Sequence, residues 1–222
     1  SLTDDIGAYP AWSPDHERLA FVVYGDTFPR ISVMHQNGES VSSLATNALY
    51  PAWSPDGASL AYVQFENGPE PSIMQVNVDS GATTSLTDRG NWPTWHPDGS
   101  ILAISRLADP DANAPPIDHE VHLLDVATGE ATYLTSGASP VWSPSGDRLA
   151  FIRADTDRVV SEDSEDMGAG MGAGIDFYVR DMVTGTEERV YQSRQAFMMF
   201  LSGLEALHGW ADDGTKILIT EV

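Results

Sequence analysis

The sequence predicts an all-β fold: a β-propeller of about five four-stranded antiparallel blades, forming a single domain over residues 1–222. Three observations predict it. Nearly the same sixteen residues are written twice, as YPAWSPDHERLAFVVY from Tyr9 and as YPAWSPDGASLAYVQF from Tyr50. Weaker copies start at Asn91, Ala138 and Leu207, so that Trp12, Trp53, Trp95, Trp142 and Trp210 recur at spacings of 41, 42, 47 and 68. Each of the first four copies is followed by two more short β-type runs, and a period near 40 residues filled with strands marks a propeller or solenoid.

Each part of the unit has a physical reason. Pro-Ala-Trp-Ser is a short apolar strand. In Ser-Pro-Asp-Gly, proline presets φ, aspartate bonds back to the backbone and glycine tolerates positive φ, which makes a tight turn. Leu60-Ala61-Tyr62-Val63 and Leu149-Ala150-Phe151-Ile152 are continuous apolar runs, as expected of strands covered on both faces. Third and fourth strands are expected at 31–34 and 41–44, 73–76 and 83–86, 121–124 and 131–134, and 177–180 and 188–191. Asn37-Gly38, Ser80-Gly81, Thr128-Gly129 and Thr184-Gly185 supply the hairpin turns between them. The blades are expected near 9–49, 50–90, 91–137, 138–206, and 207–222 with 1–8. The last is either incomplete or closed by the N-terminus, because Ser1-Leu2-Thr3-Asp4 repeats the strand ending Ser85-Leu86-Thr87-Asp88. The tryptophans are expected to fill the space between blades.

Two segments break the period. Residues 155–174 are acidic and then glycine-rich, and are expected to form a flexible solvated insertion, the alternative being a partner-binding element. Residues 195–207 suit a short helix that either packs on the ring or presents Phe197, Met198, Phe200 and Leu201 as an apolar docking patch.

Trp-Ser-Pro-Asp-Gly followed by Leu-Ala-Phe or Leu-Ala-Tyr, at this period, resembles the TolB-type propeller repeat. Trp12-Ser13-Pro14-Asp15, Trp53-Ser54-Pro55-Asp56-Gly57 and Trp142-Ser143-Pro144 match it; His96 departs at one position and Trp210-Ala211-Asp212-Asp213-Gly214 is degenerate. The resemblance implies a non-catalytic protein-binding module, an accessory subunit of a larger extracytoplasmic or membrane-associated assembly, in the periplasm or outside the cell. The same repeat style occurs in the propellers of prolyl-oligopeptidase-like peptidases. The alternatives are therefore a gating propeller without its hydrolase domain, or a ligand- or calcium-binding propeller.

Composition narrows the partners. With 33 acidic and 11 basic residues the net charge is −22, which repels nucleic acid and anionic lipid and favours cations or a basic protein. Lys216 is the sole lysine, and the absence of cysteine excludes disulfides and thiolate metal sites. No apolar run reaches the roughly 18 residues of a membrane span, and Ser1-Leu2-Thr3-Asp4 does not read as a leader.

No Gly-x-Ser-x-Gly or Walker motif occurs, so no catalytic residue is assigned. His119-Glu120-Val121-His122 is only half a zinc motif. Asp109, Asp111, Asn113 and Glu120 take positions 1, 3, 5 and 12 of a calcium loop. Ala114 stands where glycine belongs, and Pro115 and Pro116 stiffen the loop, so calcium is the one cofactor candidate and the bland alternative is a polar loop. The remaining candidate is the channel mouth, where Tyr9, Tyr50, Trp92, Ser139 and Leu207 precede Pro10, Pro51, Pro93, Pro140 and His208. Tyr9, Tyr50, Trp92 and His208 are the expected partner-binding residues, since aromatic rings around a concave opening suit a peptide or protein loop.

Overall fold

In the computed structural model, which describes residues 6–24, 28–65, 70–108, 119–161, 171–196, 207–211 and 213–219, every tryptophan copy is a hairpin. The first blade is β1 (Ile6–Trp12), β2 (Arg18–Tyr24), β3 (Pro29–His35) and β4 (Ser42–Thr46). The second is β5 (Ala48–Trp53), β6 (Ser59–Gln64), β7 (Ser72–Asn77) and β8 (Thr83–Thr87). The third is β9 (Asn91–Trp95), β10 (Ile101–Leu107), β11 (His119–Asp125) and β12 (Ala131–Ser136). The fourth is β13 (Ala138–Trp142), β14 (Arg148–Ser161), β15 (Met171–Asp181) and β16 (Glu187–Ala196). Strands pair antiparallel in chain order within each blade.

Four blades are complete, rather than about five. Residues after Leu207 write only the hairpin half of the repeat, and among the described residues they form the two-stranded sheet β17 (Leu207–Trp210) and β18 (Ile217–Ile219). Residues 1–5, expected to close the last blade, lie outside the described residues.

The expected helix over 195–207 gives way to strand at both margins. Gln195 and Ala196 end β16, where Ala196 pairs with Gly174, and Leu207 opens β17. Its candidate patch, Phe197, Met198, Phe200 and Leu201, lies outside the described residues. Residues 155–161 and 171–174, expected as loop, instead prolong the β14–β15 hairpin past a bulge, with Val159 opposite Ala173 and Ser161 opposite Met171. β-branched Val159 and Val160 favour that extension.

The inner strands β1, β5, β9, β13 and β17 lie side by side in sequence. Between them, each blade shares its core with the next: Ala20, Val22 and Ile31 pack with Trp53, Leu60 and Val76. Ala61 and Val63 likewise pack with Trp95, Leu102 and Leu124. The tryptophans do fill these junctions. Trp53, Trp95 and Trp142 are 8%, 9% and 7% exposed, whereas Trp12, at the start of the series, is 51% exposed. Arg18 lies over the Trp53 ring at 5.0 Å and donates to the Gly57 carbonyl at 2.7 Å, and Arg148 repeats this over Trp210 at 4.8 Å.

Candidate functional site

A residue-proline pair sits inside four of the inner strands and breaks the ladder there: Tyr9-Pro10 in β1, Tyr50-Pro51 in β5, Trp92-Pro93 in β9 and Ser139-Pro140 in β13. Proline has no N–H to donate, and the residue before it is driven from the helical region. The register accordingly shifts between Ala8 and Ala11, between Leu49 and Ala52, and between Ala138 and Val141, with the same slip across Trp92-Pro93. At each of these bulges the residue before proline is left-handed: Tyr9 has φ 50°, Tyr50 55°, Trp92 47° and Ser139 49°. For aromatic residues this conformation costs about 1–2 kcal/mol each, so the surrounding packing must hold it.

The bulges bring three of the expected mouth residues into one arc. The Tyr9 and Tyr50 ring centroids are 4.7 Å apart, edge to face, and Tyr50 and Trp92 are 6.0 Å apart. All three are half-buried. Tyr9 rests on the core shared by blades one and two, Tyr50 on that shared by blades two and three, and Trp92 on Ala138, Ile152, Ile175 and Phe177 of blade four. Each ring thus presents one side outward while the other packs on a neighbouring blade.

Two residues that sequence reasoning did not place there extend the arc. His119, which opens β11, has its ring 5.5 Å from Trp92. Tyr24, which closes β2, hydrogen-bonds with Tyr9; burial first, and the Tyr9 hydroxyl second, raise its phenol above the usual value. Tyr24 is opposite Ile6 in the register, at the same end of the blade. Strand ends are too short a signal to announce such contacts, and the aromatic-Pro pairs, read from the sequence as a mouth feature, lie within β1, β5 and β9 at bulges that the sequence reading did not announce. The arc stops at blade four, where the small Ser139 donates its N–H to the buried Ser105 hydroxyl at 3.0 Å. His208 sits where β17 slips register between Leu207 and Gly209; its side chain is outside the described residues.

The opposite end of the blades carries a repeated set of turn carboxylates. Asp15, Asp56, Asp98, Asp147 and Asp213 close the first hairpin of each unit, and Asp125 and Asp181 close the second hairpins of blades three and four. Backbone N–H groups and nearby hydroxyls hold all seven below the usual carboxylate range. Asp98, bonded first by Ser100 and then by His96, falls to about 2. The turns between the first and second strands and between the third and fourth lie at the end of the blade away from the aromatic arc, so these carboxylates gather there.

The calcium set is not assembled among the described residues. Asp109, Asp111 and Asn113 lie outside them, and the Glu120 carboxylate is 2.9 Å from His122 Nε2. His119 and His122, three residues apart on one strand, face opposite sides of β11. Among the described residues no group of three or more acidic or histidine side chains could hold a metal ion, and no helix is long and apolar enough to cross a membrane.

With this geometry in view, known proteins resemble the chain in fold. TolB from Acinetobacter baumannii superposes with a TM-score of 0.62 at 20% identity, over 85% of this chain and 44% of that one. An oligogalacturonate lyase in complex with manganese gives 0.66 at 14% identity, over 98% of this chain and 62% of that one. Pyrococcus horikoshii acylaminoacyl peptidase gives 0.59 at 14% identity, over 86% of this chain and 33% of that one. The chain therefore spans less than half of the Acinetobacter TolB. No curated protein sequence matches. Residues 3–163, most of the chain and including the first three blades with their aromatic arc, match the TolB beta propeller domain, and the chain belongs to that family.

Proposed function

We propose that this propeller is a non-catalytic protein-binding module whose channel mouth docks a segment of another protein through Tyr9, Tyr50 and Trp92. The observation that carries the reading is the arc itself: three successive blades each hold an aromatic residue in a left-handed bulge, with neighbouring rings 4.7 and 6.0 Å apart. Strained backbone retained at the same place in several repeats points to a use for the side chain. Large rings with one open side supply contact area at low entropic cost, which suits protein recognition.

The setting that fits is an accessory subunit of an extracytoplasmic, membrane-associated assembly, as the family resemblance implies. A net charge of −22 further favours a partner with a basic surface. The test is isolation of the native protein under mild conditions, with mass spectrometry of what accompanies it. A stoichiometric protein lost when Tyr50 and Trp92 are both replaced by alanine supports the reading. A protein that comes alone, or turnover of a peptide or sugar substrate abolished by one channel substitution, would overturn it in favour of a ligand-binding or peptidase-type propeller.

A further inference from the structure

The rings of the arc meet at angles rather than in a flat stack. Tyr50 and Trp92 have centroids 6.0 Å apart with planes at 58°, and Trp92 and His119 have centroids 5.5 Å apart, also at 58°. A cation is attracted to an aromatic face within about 6 Å of its centroid, so a flat cation set between two such rings lies within reach of both. The fold makes the same contact internally, with Arg18 over Trp53 at 5.0 Å, Arg148 over Trp210 at 4.8 Å and Arg153 over Tyr178 at 4.5 Å.

The charge around the arc has the matching sign. In blades one to three the second strand ends and the third begins at the arc's end of the blade: Tyr24 and Pro29, Gln64 and Ser72, Leu107 and His119. The stretches 24–30, 64–72, 87–91 and 106–120, which join strands at that end, hold eight acidic residues against three arginines. Each arginine has its place elsewhere. Arg89 Nε is 3.2 Å from Glu70, and Arg106 donates to the Thr87 hydroxyl at 2.8 Å and to the Arg89 carbonyl at 3.2 Å. Arg30 stands opposite Val23, which packs with Phe21 and Met34 on the other face of blade one from the core that carries Tyr9. The arginines of blade four lie beyond the arc's last ring.

From the ring geometry and this charge balance we infer that the partner segment docked at the mouth seats an arginine side chain against Tyr50 and Trp92, its guanidinium on the rings and its charge balanced by the acidic surround. Arginine suits the place better than lysine. Its guanidinium is planar, stacks on aromatic faces and is more weakly hydrated than an ammonium, so it loses less on leaving water. The surrounding field draws a basic segment toward the mouth and repels an acidic one. The inference rests on the reading of the mouth as a docking surface and adds the chemistry of the side chain that enters it.

The test is a titration of the nitrogen-15-labelled protein with the capped peptide Ser-Gly-Arg-Gly-Ser, followed through the indole N–H resonances of its six tryptophans. Trp92→Phe identifies the Trp92 resonance by its loss. That resonance is expected to move saturably with the arginine peptide. The same peptide with citrulline, which keeps the shape and removes the charge, should bind roughly tenfold more weakly. Tyr50→Leu, which keeps apolar bulk and removes a ring face, should weaken the arginine peptide about threefold, with the other indole resonances reporting that the variant is folded. The citrulline comparison uses the parent protein and decides the matter even where that variant does not fold. No movement of the Trp92 resonance, equal binding of the two peptides, or indifference of a folded Tyr50→Leu variant would each overturn the inference. Loss of the native partner on replacing Tyr50 and Trp92 by alanine tests the mouth itself, so a partner lost in that way from a mouth that does not distinguish arginine from citrulline leaves the docking reading standing and removes this one.

Discussion

The Trp53 indole donates its N–H to the Ala11 carbonyl of the preceding blade at 2.9 Å, and Trp95 to Ala52 and Trp210 to Val141 repeat the bond at 3.1 and 3.0 Å. In each case the acceptor is the residue just before the preceding blade's own tryptophan. One side chain therefore sets both the spacing and the register between sheets, combining ring burial with a directional bond.

Trp53→Ala should accordingly cost about 3–5 kcal/mol, the usual range for removing a buried tryptophan. Trp12→Ala should cost less than about 1 kcal/mol, as expected of a side chain left half in water. Urea denaturation of the two variants checks the contrast. Equal losses would mean that the first tryptophan is covered in solution.

The junction between blades three and four departs from this scheme. Trp142 Nε1 is buried without a hydrogen-bond partner among the described residues, and its ring stands edge-on to His96 at 4.7 Å. His96 replaces the serine that follows Trp12, Trp53 and Trp142, and its imidazole reaches Gly146. A Cβ at Gly146, where φ is +74°, would collide with that ring. Gly146→Ala should cost about 2–5 kcal/mol, the sum of overpacking and left-handed strain. In a His96→Ser background the overpacking share disappears and about 1–2 kcal/mol remains. A double-mutant cycle measures the difference, and strict additivity would show that the imidazole is not the obstacle.

The repeat and its hairpins were legible because each is written locally. Pro14-Asp15 and Pro55-Asp56-Gly57 make turns by their own chemistry, whereas the bulge at Tyr9-Pro10 emerged only in the strand register. What was not legible depends on what one blade does to another. Trp12 and Trp53 share a motif, yet one is exposed and the other buried, because burial comes from the preceding sheet. Tyr24 and His119 join the arc through the ends of strands whose tips carry no motif. The extension of β14 through Val159 was hidden by the acidic residues around it, whose charge reads as loop while the backbone pairs as strand. Four complete blades are described where about five were expected, because among the described residues the fifth tryptophan, Trp210, lies in the two-stranded sheet β17–β18.

The turn carboxylates make stability depend on acid. A carboxylate with a depressed pKa in the folded state stabilises it above the unfolded value and ceases to do so as pH falls through the folded value. For Asp98 that window runs from the ordinary 3.8 down to about 2. The side chain is exposed, so the effect of one site is small, but the shift has the same sign at Asp15, Asp56, Asp125, Asp147, Asp181 and Asp213. Thermal stability should therefore fall steeply below about pH 4, and Asp98→Asn should be less stable than the parent at pH 6 and closer to it at pH 2. Melting curves at the two pH values decide it; a constant difference would mean that the Asp98 charge does not contribute.

The left-handed bulge gives a way to separate recognition from packing at Tyr50. Glycine at this position relieves about 1–2 kcal/mol of backbone strain. It also removes the ring from the core it shares with Trp95 and Ile104, a loss of about 1–2 kcal/mol for a half-buried aromatic residue. The two terms nearly cancel, so Tyr50→Gly should melt within a few degrees of the parent, while Tyr50→Ala, which loses the ring and keeps the strain, should melt lower. Both should lose the partner that defines the mouth as a docking surface. If alanine proves as stable as glycine, Tyr50 is not strained in solution. If glycine melts far below the parent, the tyrosine is kept for packing and the case for a recognition role at this position fails.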